Sequence, residues 1–292
     1  MNNNKEILSV GTELELLEVI TRAYAEIASL RMKKTRDFVL NARNYLQKLQ
    51  ELFDDIRFSY VEEVARLVRK KGSKGKEEIT FLSHNGKSVV VLLSANTGLY
   101  GDIVRKTFHL FLEEVSKNES EVTIIGKQGL LLFQSFQPKV SYTYFDLPDH
   151  GFTEEAVSKI IRHIVKYKEI RLFYGQFQNL LVQQPVKEIV SAQLDAELKE
   201  SGVKRQKYIF EPSLEKILLF FETEMFASLF EQSVRESQLA KFASRILAMD
   251  QASENIKNER RRVQKERLIA LHNIANKRQL NGLPAVMMSL NG

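Results

Sequence analysis

Near its carboxyl terminus the chain carries an unbroken series of heptad positions, spaced alternately three and four residues apart: Ile246, Met249, Ser253, Ile256, Arg260, Val263, Arg267, Ala270, Ile274 and Lys277. This spacing predicts a long helix with a coiled-coil seam. The first half of the series is mostly apolar. The second half places Arg260, Arg267 and Lys277 where a self-sufficient coiled coil would have Leu or Ile. A helix of this kind needs a partner.

A second long helix is predicted from about Glu13 to Val68, a stretch that contains neither Pro nor Gly. Thr12 and Glu15 have the spacing of a capping box and predict its start. About fifty helical residues extend roughly 75 Å, so the helix must protrude or break. Its apolar residues recur with helical spacing at Leu16, Val19, Ala23, Ile27 and Leu30, and again at Leu46, Leu49 and Phe53.

Between the two helices, the pattern changes to alternating strands and helices, which predicts a small α/β domain. We predict strands at 88–93, 122–125, 140–145 and 170–174, helices at about 102–115 and 154–168, and a β ribbon at 177–183 and 206–210. The domains are then an amino-terminal coiled-coil helix (1–68), an α/β domain (69–212) and a carboxy-terminal coiled-coil helix (213–292).

The positive charge of the chain is concentrated at its end. Residues 235–292 hold 11 Lys or Arg and 5 Asp or Glu, so this segment accounts for the net charge of +6 of the whole chain. A basic helix suits nucleic acid, anionic lipid or an acidic protein surface. Because no aromatic residue follows Phe242, the base-stacking groups of a nucleic-acid site are missing there, and an acidic protein surface or a solvated face is favoured.

No catalytic or cofactor motif is present. The turn at 94–101 joins a buried strand to a helix and invites a phosphate-loop interpretation. It lacks both nucleotide-binding glycine patterns, so a strand-to-helix turn is favoured. The five histidines have no metal-ligand spacing, and His150 beside Asp149 is interpreted as part of a polar loop. We expect no cofactor, no metal and no enzymatic activity of the chain itself.

Five motifs in order resemble the gamma subunit of F-type rotary ATP synthases. Ile20-Thr21-Arg22-Ala23-Tyr24 is similar to the family's I-T-K-A-M, and residues 93–101 resemble its S-D-R-G-L-C-G turn with one residue added. Ile125-Gly126-Lys127-Gln128-Gly129 is similar to I-G-K-K-G, and residues 208–212 match Y-x-F-E-P. Most specific is the segment 248–255, A-M-D-Q-A-S-E-N, which resembles A-M-D-N-A-T-D-N.

The resemblance implies an antiparallel coiled coil of the two terminal helices plus a small Rossmann-like α/β domain. In the family this coiled coil enters a hexamer of alpha and beta subunits. Its rotation is coupled to the ATP chemistry that the hexamer performs. The implied partners are these alpha and beta subunits, an epsilon-type subunit and a membrane c-ring, without nucleic acid. No uncharged apolar run is long enough to span a membrane, so we expect a cytoplasmic protein, peripheral to the membrane and not inserted in it.

Residues that contact the hexamer are implied motif by motif. Tyr24 occupies the final Met of I-T-K-A-M, with packing inside the coiled coil as the alternative role. Arg245 occupies the Arg of A-R-M-x-A-M, from which a guanidinium donates to carboxylates. Arg260 and Arg267 are seam cations that would face the ring of subunits. Leu268 and His272 replace the Gln and Thr of the family's R-Q-A-A-I-T.

Other departures indicate a divergent member. The family's I-V-G-G-A ending becomes residues 280–286 with Pro284, which is predicted to end the helix. Two alternatives stay open: the rotor of a specialised F-type-like ATPase that is not coupled to an ion channel, and a stand-alone nucleotide-binding α/β protein.

Overall fold

The computed structural model describes residues 2–60, 84–117, 120–136, 140–190 and 209–290, together with Glu63. The chain divides into two compact units. The first comprises residues 1–29 and 245–292, and the second comprises residues 30–244. Both divisions fall inside long helices, so each of these helices contributes residues to both units. The predicted division into 1–68, 69–212 and 213–292 stays a prediction.

The described part of the chain forms five helices and five strands. In chain order they are α1 (Asn2–Ser59), β1 (Ser88–Leu93), α2 (Ile103–Lys117), β2 (Glu121–Ile125), α3 (Lys127–Phe136), β3 (Tyr142–Phe145), α4 (Glu154–Ile164), β4 (Glu169–Phe177), β5 (Gln183–Ile189) and α5 (Leu214–Leu290). The predicted fold class, α/β with long terminal helices, is confirmed. Among these described helices, none is both long and apolar enough for a membrane span.

The second unit contains one mixed sheet with the strand order β3-β2-β1-β4-β5. Central strand β1 pairs in parallel with β2 on one side and with β4 on the other, so that Val91 lies between Thr123 and Leu172. Strand β3 pairs in parallel with β2, and β5 pairs antiparallel with β4. All four parallel strands therefore direct their carboxyl ends to the same edge of the sheet.

Each face of the sheet has its own hydrophobic core, because successive side chains of a strand point to opposite faces. On one face Val91 joins a cluster with residues of α4 and α5, among them Phe230. On the other face Val90 joins Phe111 of α2 and Phe133 of α3. Since both faces are covered, β1 consists of an uninterrupted apolar run, as predicted for a fully buried strand.

The predicted strands at 88–93, 122–125, 140–145 and 170–174 are confirmed as β1 to β4, with small shifts at their ends. The helices predicted at 102–115 and 154–168 are confirmed as α2 and as a shorter α4. Helix α3 is not among the predicted elements, since closely spaced glycines such as Gly126 and Gly129 are typical of a turn. Gly126 does adopt a positive φ of 101°, but Gly129 lies inside the helix.

The strand predicted at 177–183 is wrong: Phe177 ends β4, Gln183 begins β5, and residues 178–182 form the turn between them. Of the second predicted segment, 206–210, Ile209 and Phe210 lie outside any strand, and residues 206–208 lie outside the described part of the chain. The apolar sequence Leu180 to Val182 favoured a strand. However, the Asn179 side chain accepts hydrogen bonds from the backbone N–H groups of Leu181 and Val182, both at 2.9 Å. This local bonding closes a turn instead.

Helix α1 has a continuous heptad seam, which agrees with the predicted apolar series at Leu46, Leu49 and Phe53 but differs from it between Leu16 and Leu30. Its less exposed positions include Ile7, Gly11, Leu14, Glu18, Thr21, Ala25, Ala28, Met32, Thr35, Val39, Ala42, Leu46, Leu49, Phe53 and Ile56. By contrast, Leu16, Val19, Ile27 and Leu30 are 44–73% exposed. The apolar spacing thus predicted the helix correctly and, at Leu46, Leu49 and Phe53, also the face that it buries. Between Leu16 and Leu30 the apolar series lies on the exposed face.

Within the first unit, α1 and α5 are antiparallel partners, since Glu18 pairs with Arg260 and Tyr24 contacts Arg245. The predicted seam of α5 is half-buried or buried from Ile246 to Val263, and exposed at Arg267, Ile274 and Lys277. The antiparallel coiled coil is therefore present. Its α5 seam is covered from Ile246 to Val263, which includes the seam cation Arg260.

Two predicted helix ends are wrong. Helix α1 begins at Asn2, and the Thr12 hydroxyl donates to the Leu8 carbonyl one turn earlier at 3.1 Å, so Thr12 is an interior residue and not a cap. Helix α5 continues past Pro284 to Leu290. A Pro removes one hydrogen bond of the helix ladder, which one of many turns in a helix of 77 residues tolerates. The predicted part of α1 beyond Glu63 lies outside the described residues.

Two glycines inside helices provide a matched pair of substitutions. A Cβ atom at Gly129 would lie 2.6 Å from the Ser94 Cβ, whereas one at Gly11 would have no atom within 4 Å. We expect Gly129→Ala to lower the free energy of unfolding, because overpacking of about 1–3 kcal/mol exceeds the gain in helix propensity. Gly11→Ala should raise it by about 0.5–1 kcal/mol. Urea unfolding of both variants tests this, and equal effects would contradict the packing of α3 against β1.

Candidate functional site

The carboxyl ends of the parallel strands form the position where open α/β sheets usually hold ligands. The crevice lies where the strand order reverses around a central strand, which here is the end of β1. The turn at 94–101 starts at this point, as the phosphate-loop interpretation required. The content of this crevice therefore decides whether the sheet has a nucleotide site.

The crevice is filled by a carboxylate of the chain itself. Asp149 is 5% exposed, and its two oxygens accept hydrogen bonds from the backbone N–H of Asn96 at 3.0 and 3.1 Å. The N–H and the hydroxyl of Thr97 donate to its Oδ2 at 2.8 and 2.9 Å. Asp149 thus occupies the backbone amides that a phosphate would need.

Helix α5 reaches the same carboxylate from the other side. Lys241 Nζ donates to the Ser94 carbonyl at 2.8 Å and lies 3.4 Å from Asp149 Oδ1. Gln238 Nε2 donates to the Asp149 carbonyl at 3.0 Å. Burial by itself would raise the pKa of Asp149, but the Lys241 ammonium and the donors of Asn96 and Thr97 outweigh burial and lower that pKa. The carboxylate is therefore held in its charged form.

These contacts make the turn a structural joint. His150 is exposed while Asp149 is buried, which agrees with a loop and not with an acid/base pair. Across the described ranges, no group of three or more His, Asp or Glu side chains has the geometry of a metal site. The arrangement can bind α5 to the sheet, but it presents no open phosphate cradle.

Two of the sequence-predicted contact residues are neighbours. The Arg245 guanidinium carbon lies 5.7 Å from the centre of the Tyr24 ring, within the range of a cation–π contact. Arg245 is 4% exposed and Tyr24 is 38% exposed. The ring therefore covers the cation and leaves its outer surface exposed.

Another predicted contact residue has a partner inside the chain. Arg260 Nη1 lies 2.7 Å from Glu18 Oε2, and both residues occupy seam positions of their helices. The cation at a seam position is thus compensated by an acid in the opposite seam. Next to this pair, a groove of about 220 Å³ lies between the helices, lined among others by Ile7, Gly11 and Arg267. Gly11 leaves this groove open because it has no side chain.

The remaining predicted residues, Arg267, Leu268 and His272, are exposed on α5. Sequence reasoning missed the exposed apolar residues of α1 as a functional surface, although it named several of them as helix signals. Within the first unit, this surface comprises Leu16, Leu17, Val19, Ile20 and Ile27, all at least 40% exposed. We call it the α1 outer stripe. A contiguous exposed apolar surface of this kind indicates a binding partner.

A comparison with protein-family models decides the family. The ATP synthase family model matches residues 6–267, which include α1, the whole sheet and most of α5. The chain belongs to the ATP synthase gamma chain family. Gamma chains are the non-catalytic rotor subunits of the central stalk, and the absence of a catalytic motif from the sequence is consistent with this.

Individual gamma chains are distant relatives. The ATP synthase gamma chain of Mycoplasma capricolum is 27% identical over 245 residues, which cover 82% of either chain. That of Histophilus somni is 25% identical over 272 residues, covering 88% of this chain and 89% of the relative. The similarity therefore extends along most of both chains. The low identity agrees with the divergence that the altered motifs indicate.

Solved rotors share the fold. The rotor of the Euglena gracilis mitochondrial ATP synthase superimposes with a TM-score of 0.57 at 15% identity, over 93% of this chain and 99% of that chain. A chain from the central stalk and c-ring of the Tetrahymena thermophila enzyme gives a TM-score of 0.54 at 18% identity, over 80% and 99%. The gamma chain fold is thus retained at low sequence identity.

The buried carboxylate of this gamma chain predicts a pH-dependent stability. Because the folded-state pKa of Asp149 is lowered, its contribution is complete above the unfolded value of about 3.9 and is lost as the pH falls from there through the folded value. We expect Asp149→Asn to lose about 3–5 kcal/mol at pH 7, since Lys241 is left buried beside a neutral group. The difference from the wild type should shrink toward pH 3.

Urea unfolding at a series of pH values measures both effects. The matched control is Glu155→Gln, which breaks an exposed pair with Lys159 on α4 and should change the stability little. A variant at position 149 that keeps the acid sensitivity of the wild type would disprove the assignment.

Proposed function

We propose that the chain is the central shaft of an F-type rotary ATPase, whose first unit turns inside an alternating hexamer of alpha and beta subunits. The observation that carries this proposal is the α1 outer stripe, on a chain that belongs to the gamma family. A coiled coil that had water as its only neighbour would keep Leu and Ile in its seam. This one places Leu16 and Val19 outside the seam, at 61% and 65% exposure.

The charge of the first unit suits the same partner. Exposed cations follow α5 at Arg261, Lys265, Arg267 and Lys277, in addition to Arg262, which pairs with Glu259 and Glu266 of the same helix. Inside a ring of subunits they require acidic groups, because a desolvated cation without a counter-charge is strongly unfavourable. We therefore infer that the inner surface of the hexamer is apolar opposite α1 and acidic opposite α5.

We assign the individual contacts from exposure and chemistry. Arg267 is placed to donate to carboxylates of a beta subunit, and Leu268 and His272 form the next contacts on the same exposed helix. Tyr24 offers its outer ring face, with Arg245 behind it. Arg260 acts jointly with Glu18, so that the pair meets the partner as a nearly neutral surface.

The second unit is the part that we place outside the hexamer, where an epsilon-type subunit and a membrane c-ring would bind it. The similar Tetrahymena thermophila chain comes from an assembly of central stalk and c-ring, which supports this placement. The location would then be cytoplasmic and peripheral to the membrane. The alternative is an ATPase that is not coupled to an ion channel, in which the same shaft binds no c-ring. The filled crevice disfavours a stand-alone nucleotide-binding protein.

Co-purification from native expression tests the shaft and its alternative together. An affinity tag is inserted at the β4–β5 turn, where Leu181 is 75% exposed and outside the inferred hexamer contact. We expect native mass spectrometry to give one chain with three alpha-type and three beta-type subunits. Recovery of the chain alone would contradict the proposal. A c-ring in the same complex supports ion coupling, and its absence at full hexamer occupancy supports the channel-free alternative.

The outer stripe is tested by Val19→Asp. The exposed position should leave the fold intact, while assembly with the hexamer weakens at least about tenfold, because the apolar burial of one Val is worth about 1.5 kcal/mol and a charge opposes it further. Leu181→Asp is the matched control on the second unit and should assemble normally. Equal assembly of Val19→Asp and the wild type in a titration with purified hexamer would remove the outer stripe from the interface.

A further inference from the structure

If the second unit transmits torque, helix α5 must not rotate relative to the sheet against which it packs. We propose that Lys241 and Asp149 are positioning residues that fix the rotational register of α5 against the α/β sheet, and so pass torque between them. This inference rests on the proposed rotor function. It concerns contacts within the second unit alone, between α5 and the turn at the end of β1.

The crossing segment of α5 has no exposed face. Every residue from Glu236 to Ser244 is buried, which is more than two helical turns. Five of these nine residues are polar: Glu236, Ser237, Gln238, Lys241 and Ser244. A helix held to a sheet only for stability would bury apolar residues here, since buried polar groups must each be satisfied.

Apolar and polar contacts differ in how they respond to rotation. Apolar burial is non-directional and changes little when a helix turns or slides slightly. A hydrogen bond weakens steeply once its distance or angle leaves a narrow range. Contacts that fix an angle must therefore be directional, and in a buried place they are stronger because water does not compete.

The Lys241 contacts meet this requirement. Its ammonium donates to a backbone carbonyl, that of Ser94, which is held at the end of the central strand by its own N–H bond to the Ile125 carbonyl. Its second neighbour, Asp149, is anchored by the backbone N–H groups of Asn96 and Thr97. Both acceptors are thus fixed at the end of the sheet. One is a backbone carbonyl, and the other is a carboxylate that backbone N–H groups hold in place.

A second directional contact lies two turns earlier on α5. Glu188 Oε2 on β5 accepts hydrogen bonds from Tyr174 of β4 at 2.8 Å and from Ser233 of α5 at 3.2 Å. A single contact defines one point, whereas two contacts separated along the helix define its rotation as well. The Lys241 contact is the stronger of the two because it carries charge on both sides.

The first experiment uses the whole chain alone and does not depend on the hexamer. The chain has no Cys, so Leu181→Cys and Thr223→Cys add two spin labels, one on the β4–β5 turn and one on an exposed position of α5. Electron-spin distance measurements should give one narrow peak. With Lys241→Met added, we expect the population of displaced registers to rise at least about a hundredfold, since the loss of one partner of a buried pair usually costs more than that factor.

The matched control is Lys87→Met, which removes an ion pair with Glu121 in the same unit but touches no residue of α5. It should keep the narrow peak. An equally narrow peak for Lys241→Met would overturn the proposal. If Lys241→Met does not fold, Asp149→Asn/Lys241→Met removes both charges and is measured in its place. A double variant that also fails to fold assigns the pair to folding and likewise overturns the proposal.

The second experiment measures load in the assembled complex. A bead on Leu181→Cys reports rotation of the second unit during ATP hydrolysis, and an opposing load is raised until rotation stalls. We expect Lys241→Met to hydrolyse ATP at the wild-type rate without load and to slip at a lower load, while Lys87→Met stalls like the wild type. No rotation of the wild type refutes the rotor function itself. Rotation with the same stalling load in all three refutes only the role of Lys241.

Discussion

The complete burial of α5 between Glu236 and Ser244 is the constraint on which the rest of the second unit depends. An α-helix turns through all of its faces in 3.6 residues, so a segment of this length must be enclosed on every side. Part of the enclosure is α1, from which Arg43 donates to Glu236. Another part is the sheet edge, where Ser94 and Asp149 receive Lys241. Gln238 has a partner there as well, since its side chain donates to the Asp149 carbonyl.

The same enclosure separates this sheet from nucleotide-binding sheets of similar topology. The strand order places a crevice at the end of β1, and the turn there offers backbone N–H groups to an anion. In this chain the anion is Asp149, and the counter-charge comes from α5. The position that holds a cofactor in other sheets of this topology here holds a contact between the sheet and α5. Function therefore follows from the site and not from the fold.

Helix α1 distributes its residues between the seam with α5 and an exposed outer face. Toward α5 it presents many small or polar residues, such as Gly11, Thr21, Ala25 and Ala28, while Leu16 and Val19 remain outside. Small seam residues let two helices approach closely, and Glu18 neutralises Arg260 within the seam. The large apolar side chains are then available for an outer partner. Such a seam suits a coiled coil that must pair with itself and also offer apolar side chains on its outer surface.

The sequence by itself determined the long helices, the apolar strand β1 and, through five motifs in order, the gamma family, because these depend on spacing along the chain. It also singled out Tyr24 and Arg245, each by its own motif, but only the structure shows that they contact each other. It did not reveal which face of α1 is buried between Leu16 and Leu30, since the large apolar residues of this part lie on the exposed face. Nor did it reveal the closed crevice. Only the tertiary structure decided that, because Asp149 and Lys241 are 92 residues apart and no local pattern connects them.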